Sequence, residues 1–195
     1  MACTGSPSRR VSGASYPFRH RNPGVRRKRN VKTRDISLSA VIAALYAALV
    51  IILAPISFGP IQLRVADCLI PLSALFGPPC VIGVALGAFV GNAYWFLSPI
   101  DVVLGALANL AASYVVYRYR ERLVAASAAA SLIIGVVVGG YLWLFFPPPS
   151  ILGLQLPVWL AMMASITLSS LVAVGVLGLG LVRLLEESEY IKQLR

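Results

Sequence analysis

The sequence predicts an all-α membrane protein, a six-transmembrane-helix bundle with a short, kinked second helix. Three observations carry this. The 195-residue chain is 58% hydrophobic and only 12% charged, with a mean hydropathy of +0.82, far from a soluble globular composition. Its apolar residues fall into six runs that read against bilayer thickness as spans. Its basic residues gather in alternate connections between those runs.

The first 34 residues are a basic tail. They hold ten of the 17 Lys and Arg and no acid, so the formal charge of +10 is essentially theirs. Their Gly, Pro and Ser and their lack of a periodic apolar face predict disorder. A nucleic-acid arm and a lipid-binding patch are alternatives, but a basic run before a first span most often sets orientation. No nucleic-acid partner is expected. The first apolar run is too long for a signal peptide and shows no convincing cleavage site.

The spans are expected at Ile36–Ala54, Val65–Leu75, Pro79–Leu97, Pro99–Tyr117, Leu123–Phe146 and Pro157–Val182. This makes residues 35–185 the transmembrane domain and 186–195 a C-terminal end. The second span is too short for full thickness and contains Pro71, which removes a helical donor and crowds the carbonyl of Asp67. Arg118, Arg120 and Arg122 in the fourth connection, and Arg183, Lys192 and Arg195 at the end, lie on the tail's side of six spans. The positive-inside rule then places both termini in the cytoplasm of a cell-membrane protein. Small residues recur at helical spacing in three seams: Ala40, Ala44 and Ala48; Gly83, Gly87 and Gly91; and Asp101, Gly105, Ala108 and Ala112. Each reads as packing within the bundle, with docking on another membrane subunit as the alternative.

The remaining polarity collects in the outer half. Gln62, Arg64, Asp67, Tyr94, Trp95 and Asp101 all fall near the outer surface, with Asn92 roughly 9 Å below Ser98 at helical rise and Asn109 deeper still. Plainer roles exist for each. Ser98-Pro99-Ile100-Asp101 fits a helix start, and Arg64 and Asp67 fit an ion pair. The aromatics fit interfacial anchors, and the two asparagines fit interhelical hydrogen bonds. Charges in a membrane are costly enough that they usually face a cavity or a partner, which favours a site.

Several chemistries are excluded. There is no GxxxxGK[ST] for ATP hydrolysis, and the one histidine, His20, allows neither HExxH nor a serine-histidine pair. With three cysteines, no CxxC and that histidine in the tail, neither a metal site nor a disulfide framework is expected. Cys68 and Cys80 are expected at opposite ends of one short helix. No cofactor is expected and no enzyme. Binding and transport remain.

The blocks ISFGPIQLRVADCL, GVALGAFVGN and SPIDVVLGALANLAAS, between about Leu38 and Tyr117, resemble the QueT family. These are queuosine-precursor transporters classed as S components of energy-coupling factor (ECF) transporters. The resemblance implies the S-component type of six-helix bundle, and a membrane subunit that captures a 7-deazapurine ligand from outside. The ligand would be a 7-deazaguanine such as preQ1, preQ0 or queuine. Implied partners are an ECF transmembrane coupling subunit and two ABC ATPases, besides the lipid bilayer. Gln62 and Arg64 match the family's Q-x-R, Asn92 its helix-closing Asn, and Asp101 and Gly105 its D-x-x-x-G. Asp67 stands where the family typically has Glu, and Asn109 where it has a small hydroxyl residue. The expected substrate-binding residues are thus Gln62, Arg64, Asp67, Asn92, Trp95 and Asp101, with Ala40, Ala44 and Ala48 as the coupling-subunit docking face. An S component for another vitamin-like ligand and a stand-alone secondary carrier are the alternatives.

Overall fold

The structure, a computed structural model, describes residues 32–57, 63–146 and 157–187. Among them every regular element is helical. Helix α1 (Thr33–Ile52) starts three residues before the expected Ile36. Asp35 extends it by accepting a hydrogen bond from the Lys32 backbone N–H (3.4 Å), placing a carboxylate at the positive end of the helix. It stops at Ile52 because Pro55 has no N–H to continue the ladder, and a single turn, α2 (Ala54–Ser57), follows.

The expected short, kinked helix is a 3-10 segment (Val65–Leu72) continuing into one α-turn, α3 (Ser73–Phe76). Pro71 lies inside the 3-10 winding. The tighter coil also rises about 2.0 Å per residue against 1.5 Å for an α-helix, so twelve residues reach roughly 22 Å rather than 18 Å. Gly77 ends the segment at φ 72°, ψ −150°, a conformation essentially restricted to glycine. Pro78 and Pro79 then open α4 (Pro78–Tyr94), where missing donors cost nothing. Cys80 therefore belongs to α4 and Cys68 to the 3-10 segment, which corrects the expectation of one shared helix; both are free thiols.

Helix α5 (Pro99–Arg118) begins at the Ser98 cap, and a 3-10 turn (Arg120–Arg122) leads to α6 (Leu123–Leu142). The last span is α7 (Val158–Ser170), a π-wound stretch (Leu171–Gly178) and α8 (Leu179–Glu187). Just before the π stretch, Thr167 and Ser169 hydroxyls donate to the carbonyls of Met163 (2.7 Å) and Ile166 (3.0 Å), a bonding pattern that loosens the regular ladder. The two irregular segments pack on each other: a Cβ on Gly178 would lie 2.7 Å from the Pro71 ring.

Helix α1 packs most extensively on α4, and the glycine seam is the reason. A Cβ added to Gly83, Gly87 or Gly91 would fall within 3 Å of Ser39, of Tyr46 and Ala43, or of Val50. This register makes α1 and α4 parallel. Ser39 reinforces it by donating to the Pro79 carbonyl (2.8 Å). Gly135 and Gly139 let α6 approach Thr167 and Met163 of α7 in the same way, a seam the sequence reading did not single out. Thr33–Ile52, Pro99–Arg118, Arg120–Leu142 and Val158–Glu187 are long and apolar enough to cross a membrane, and Val65–Phe76 and Pro78–Tyr94 are shorter apolar helices. Val41, Leu45, Leu86, Val90, Leu132 and Val136 point outward, while Asp67, Asn92, Asp101 and Asn109 lie inside. That inversion suits a chain surrounded by lipid.

Candidate functional site

Asp67 lies one turn into the 3-10 segment, and that winding turns its side chain into the bundle, where it is 1% exposed. Its Oδ1 accepts a hydrogen bond from the Tyr46 hydroxyl of α1 at 2.5 Å. The same hydroxyl accepts one from Asn109 Nδ2 of α5 at 2.7 Å. A hydroxyl has one proton to give, so the order is fixed: amide to hydroxyl to carboxylate. Three elements far apart in sequence thereby meet on one buried polar chain, which satisfies groups that would be costly to bury alone.

A second cluster forms where α4 ends and α5 begins. Ser98 Oγ accepts the Asp101 backbone N–H (3.1 Å), so the expected helix cap is present. The Asp101 side chain is nevertheless buried, and its Oδ1 accepts from the Tyr141 hydroxyl of α6 at 2.8 Å. Asn92 Nδ2 donates to the Asp101 carbonyl at 3.2 Å. Gly105, one turn beyond Asp101, makes this possible: a Cβ there would sit 2.5 Å from the Asn92 amide nitrogen. Because α4 ends at Tyr94, Asn92 is close to the helix end rather than well below Ser98, which corrects the depth inferred from an unbroken helix to Leu97. Asn92 Oδ1 and Asp101 Oδ2 are buried and take no hydrogen bond from the described residues.

Arg64 joins the two clusters. It immediately precedes the 3-10 segment, its carbonyl accepts the Asp67 N–H (3.0 Å), and it is part-exposed. Its guanidinium interacts electrostatically with Tyr46, Asp67, Asp101 and Tyr141. Arg64, Asp67, Asn92 and Asp101 are therefore brought together. Trp95 is 48% exposed at the end of α4, edge-on to Tyr94 with ring centroids 6.1 Å apart, and so sits at the rim. Gln62, with Phe58, lies outside the described residues.

Sequence reasoning missed two members, Tyr46 and Tyr141. Tyr46 is the lone aromatic in an aliphatic span, a hydroxyl without a local partner, and that was its available signal. Tyr141 near the end of α6 resembles an interfacial anchor until its hydroxyl is placed.

Outside the cluster, Ala40 and Ala44 are exposed and Ala48 is part-exposed, on the side of α1 turned away from the glycine seam. At the opposite end of the bundle, a surface groove of about 480 Å³ is lined by Tyr117, Arg118, Tyr119, Arg120, Glu121 and Arg122. It is built from one connection and shares no residue with the polar cluster, where the buried functional groups are. Its arginines are solvent-exposed, as the ends of cationic connections commonly are.

Over 81 residues the chain is 40% identical to the queuosine precursor transporter QueT of Lactococcus lactis subsp. cremoris (strain MG1363), covering 40% of this chain and 47% of that protein. The match thus spans about half the length of that curated relative. No solved structure matches the chain. A family model described as QueT transporter matches residues 36–187, which takes in all six apolar segments and every member of the polar cluster. The chain belongs to the QueT transporter family.

Proposed function

We propose that this chain is the substrate-binding membrane subunit, the S component, of an ECF-type importer, and that it captures a 7-deazaguanine queuosine precursor from outside. The observation that carries the reading is the buried chain from Asn109 through Tyr46 to Asp67, in a family of transporters. A carboxylate held so firmly inside a membrane bundle suits a ligand that brings donors to it. The amide-and-amine edge of a deazaguanine is such a ligand, because an ionised carboxylate accepts several hydrogen bonds and Tyr46 takes only one of those positions. Arg64 orients the carboxylate. Asn92 and Gln62 serve other edge atoms, and Trp95 at the rim offers a face on which the ring stacks.

In this reading both termini are cytoplasmic in the cell membrane, and the ligand mouth is on the outer side. Residues 1–34 are a basic tail, 35–185 the substrate-binding domain and 186–195 a short cytoplasmic end. The sequence has no P-loop, and in this reading the energy comes from other subunits: a transmembrane coupling subunit and two ABC ATPases. The outward-facing Ala40-Ala44-Ala48 stripe is the docking face, since small side chains allow close helix approach in lipid. The two buried carboxylates, Asp67 and Asp101, are what a stand-alone cation-coupled carrier would need, so uptake without any ATPase would select that alternative.

The test is calorimetry on the purified full chain with 7-deazaguanines beside guanine, biotin and riboflavin. Saturable binding confined to the deazaguanines is the expected result. A folded sample that binds none of them removes the substrate assignment.

A further inference from the structure

Between α5 and α6 the chain reads Tyr117-Arg118-Tyr119-Arg120-Glu121-Arg122, three arginines interleaved with two tyrosines and one acid. Orienting a span requires only that cations lie near its end. Here they do more, because all six residues line one groove of about 480 Å³. That is within the roughly 300–1,000 Å³ of small-molecule sites. Three arginines against one glutamate give the groove a net charge of +2 at neutral pH. Helix α6 starts beside it with no side-chain cap and no acid in its first turn, so the positive end of its dipole adds to the arginines. The Arg118 guanidinium lies over the Tyr119 ring, 5.7 Å from its centroid, which steadies the planar fork at the surface.

An apolar track leads into this groove. Val103, Leu107, Leu110 and Tyr114 of α5 are all exposed. They recur at i, i+4, i+7 and i+11 and so share one helix face, while Gly105, Ala108 and Ala112 are buried on the other. At helical rise the track is roughly 16 Å long, about half of a 30 Å hydrocarbon core and therefore one leaflet. Its last member, Tyr114, meets Tyr117 of the groove with ring centroids 6.4 Å apart. Tyr117 in turn rests on the Gly77 turn, its Cε2 3.6 Å from where a Cβ on Gly77 would lie.

We propose that Arg118, Arg120 and Arg122 bind the headgroup phosphate of an anionic phospholipid whose acyl chain lies along Val103, Leu107, Leu110 and Tyr114. Guanidinium forks pair bidentately with phosphate oxygens, and the tyrosines sit at the level where apolar track gives way to charge. A zwitterionic lipid brings the same phosphate with a cation attached, which a groove of net positive charge disfavours. A soluble phosphate has no use for the track. The site shares no residue with the buried polar cluster, so it stands apart from the transport reading.

Native mass spectrometry of the full chain in detergent, with equimolar phosphatidylglycerol and phosphatidylcholine of identical acyl chains, tests this. Phosphatidylglycerol is expected to be retained on the order of tenfold over phosphatidylcholine. Combining Arg118→Gln, Arg120→Gln and Arg122→Gln should abolish that preference. Combining Arg26→Gln, Arg27→Gln and Arg29→Gln in the basic tail should leave it. Glycerol 1-phosphate at the same concentration should leave the retained lipid in place. Equal retention of the two lipids overturns the proposal, as does a preference that survives in the groove variant or disappears in the tail variant. Displacement by glycerol 1-phosphate overturns the lipid assignment in favour of a soluble anion. Should the groove variant not fold, the unmodified chain and the tail variant still decide.

Discussion

The hydroxyl of Tyr46 and the carboxylate of Asp67 share a buried 2.5 Å hydrogen bond across 21 positions of sequence, linking the first span to the irregular second one. Tyr46 is fully buried and also accepts the Asn109 amide. Its phenol is thus the hub of the first cluster. In Tyr46→Phe the ring is kept and only the hub atom is lost. Unfolding in detergent should show a loss of about 1–3 kcal/mol, the cost of leaving buried partners unsatisfied. A variant as stable as the parent would show that Asp67 and Asn109 find other partners without it.

Asp67→Asn keeps the shape and removes the charge. The protein should still fold, with thermal unfolding still cooperative, and 7-deazaguanine affinity should fall by roughly tenfold or more, the weight of a charge-assisted contact. Unchanged affinity would assign Asp67 to the architecture alone.

Two glycine-to-alanine substitutions, one in the seam and one outside it, have opposite expected effects. Gly87→Ala places a methyl 2.6 Å from Tyr46 Cβ and 2.7 Å from the Ala43 carbonyl. It should push α1 from α4, cost about 1–3 kcal/mol, and weaken binding by displacing Tyr46. Gly180 in α8 has nothing within 4 Å of the same position. Gly180→Ala should leave binding unchanged and stabilise by roughly 0.5–1 kcal/mol through helix propensity. Equal melting temperatures for the two variants would argue against tight α1–α4 contact.

Ser98→Ala removes the cap that fixes the first turn of α5 and, with it, the Asp101 backbone. A stability loss of about 1 kcal/mol is expected, the usual cost of an N-cap. Affinity for 7-deazaguanines should fall with it, because Asp101 is among the proposed binding residues. Unchanged affinity would mean that the cap serves folding and not the position of Asp101.

Ala44→Trp adds a large side chain on the exposed face of α1. Ligand binding by the isolated chain should be unaffected, while co-purification of a coupling subunit and ATP-driven uptake should be lost. Full uptake by this variant would move the docking face elsewhere.

Much of this protein is written locally. Apolar runs and the placement of Lys and Arg act residue by residue on transfer into lipid, so the six apolar segments followed from the sequence, with ends shifted by a few residues. Pro71 announced the irregular second helix for the same reason: its missing donor is a property of one residue. The gathering of Arg64, Asp67, Asn92 and Asp101 was also legible, because scarce polar groups in an apolar chain have few places to go.

Partnership was not legible. Nothing near Tyr46 in sequence points to Asp67 or Asn109; their meeting depends on the parallel register that Gly83, Gly87 and Gly91 impose between α1 and α4. Tyr141 became part of the polar cluster only because α6 runs beside the start of α5. The early end of α4 at Tyr94 brought Asn92 to Asp101, and Gly105 left the space for its amide. The sequence by itself determined which groups must avoid lipid. Only the tertiary structure decided which donor each acceptor received, because hydrogen bonds depend on distances of tenths of an ångström that interhelical packing sets, whereas hydropathy depends on none.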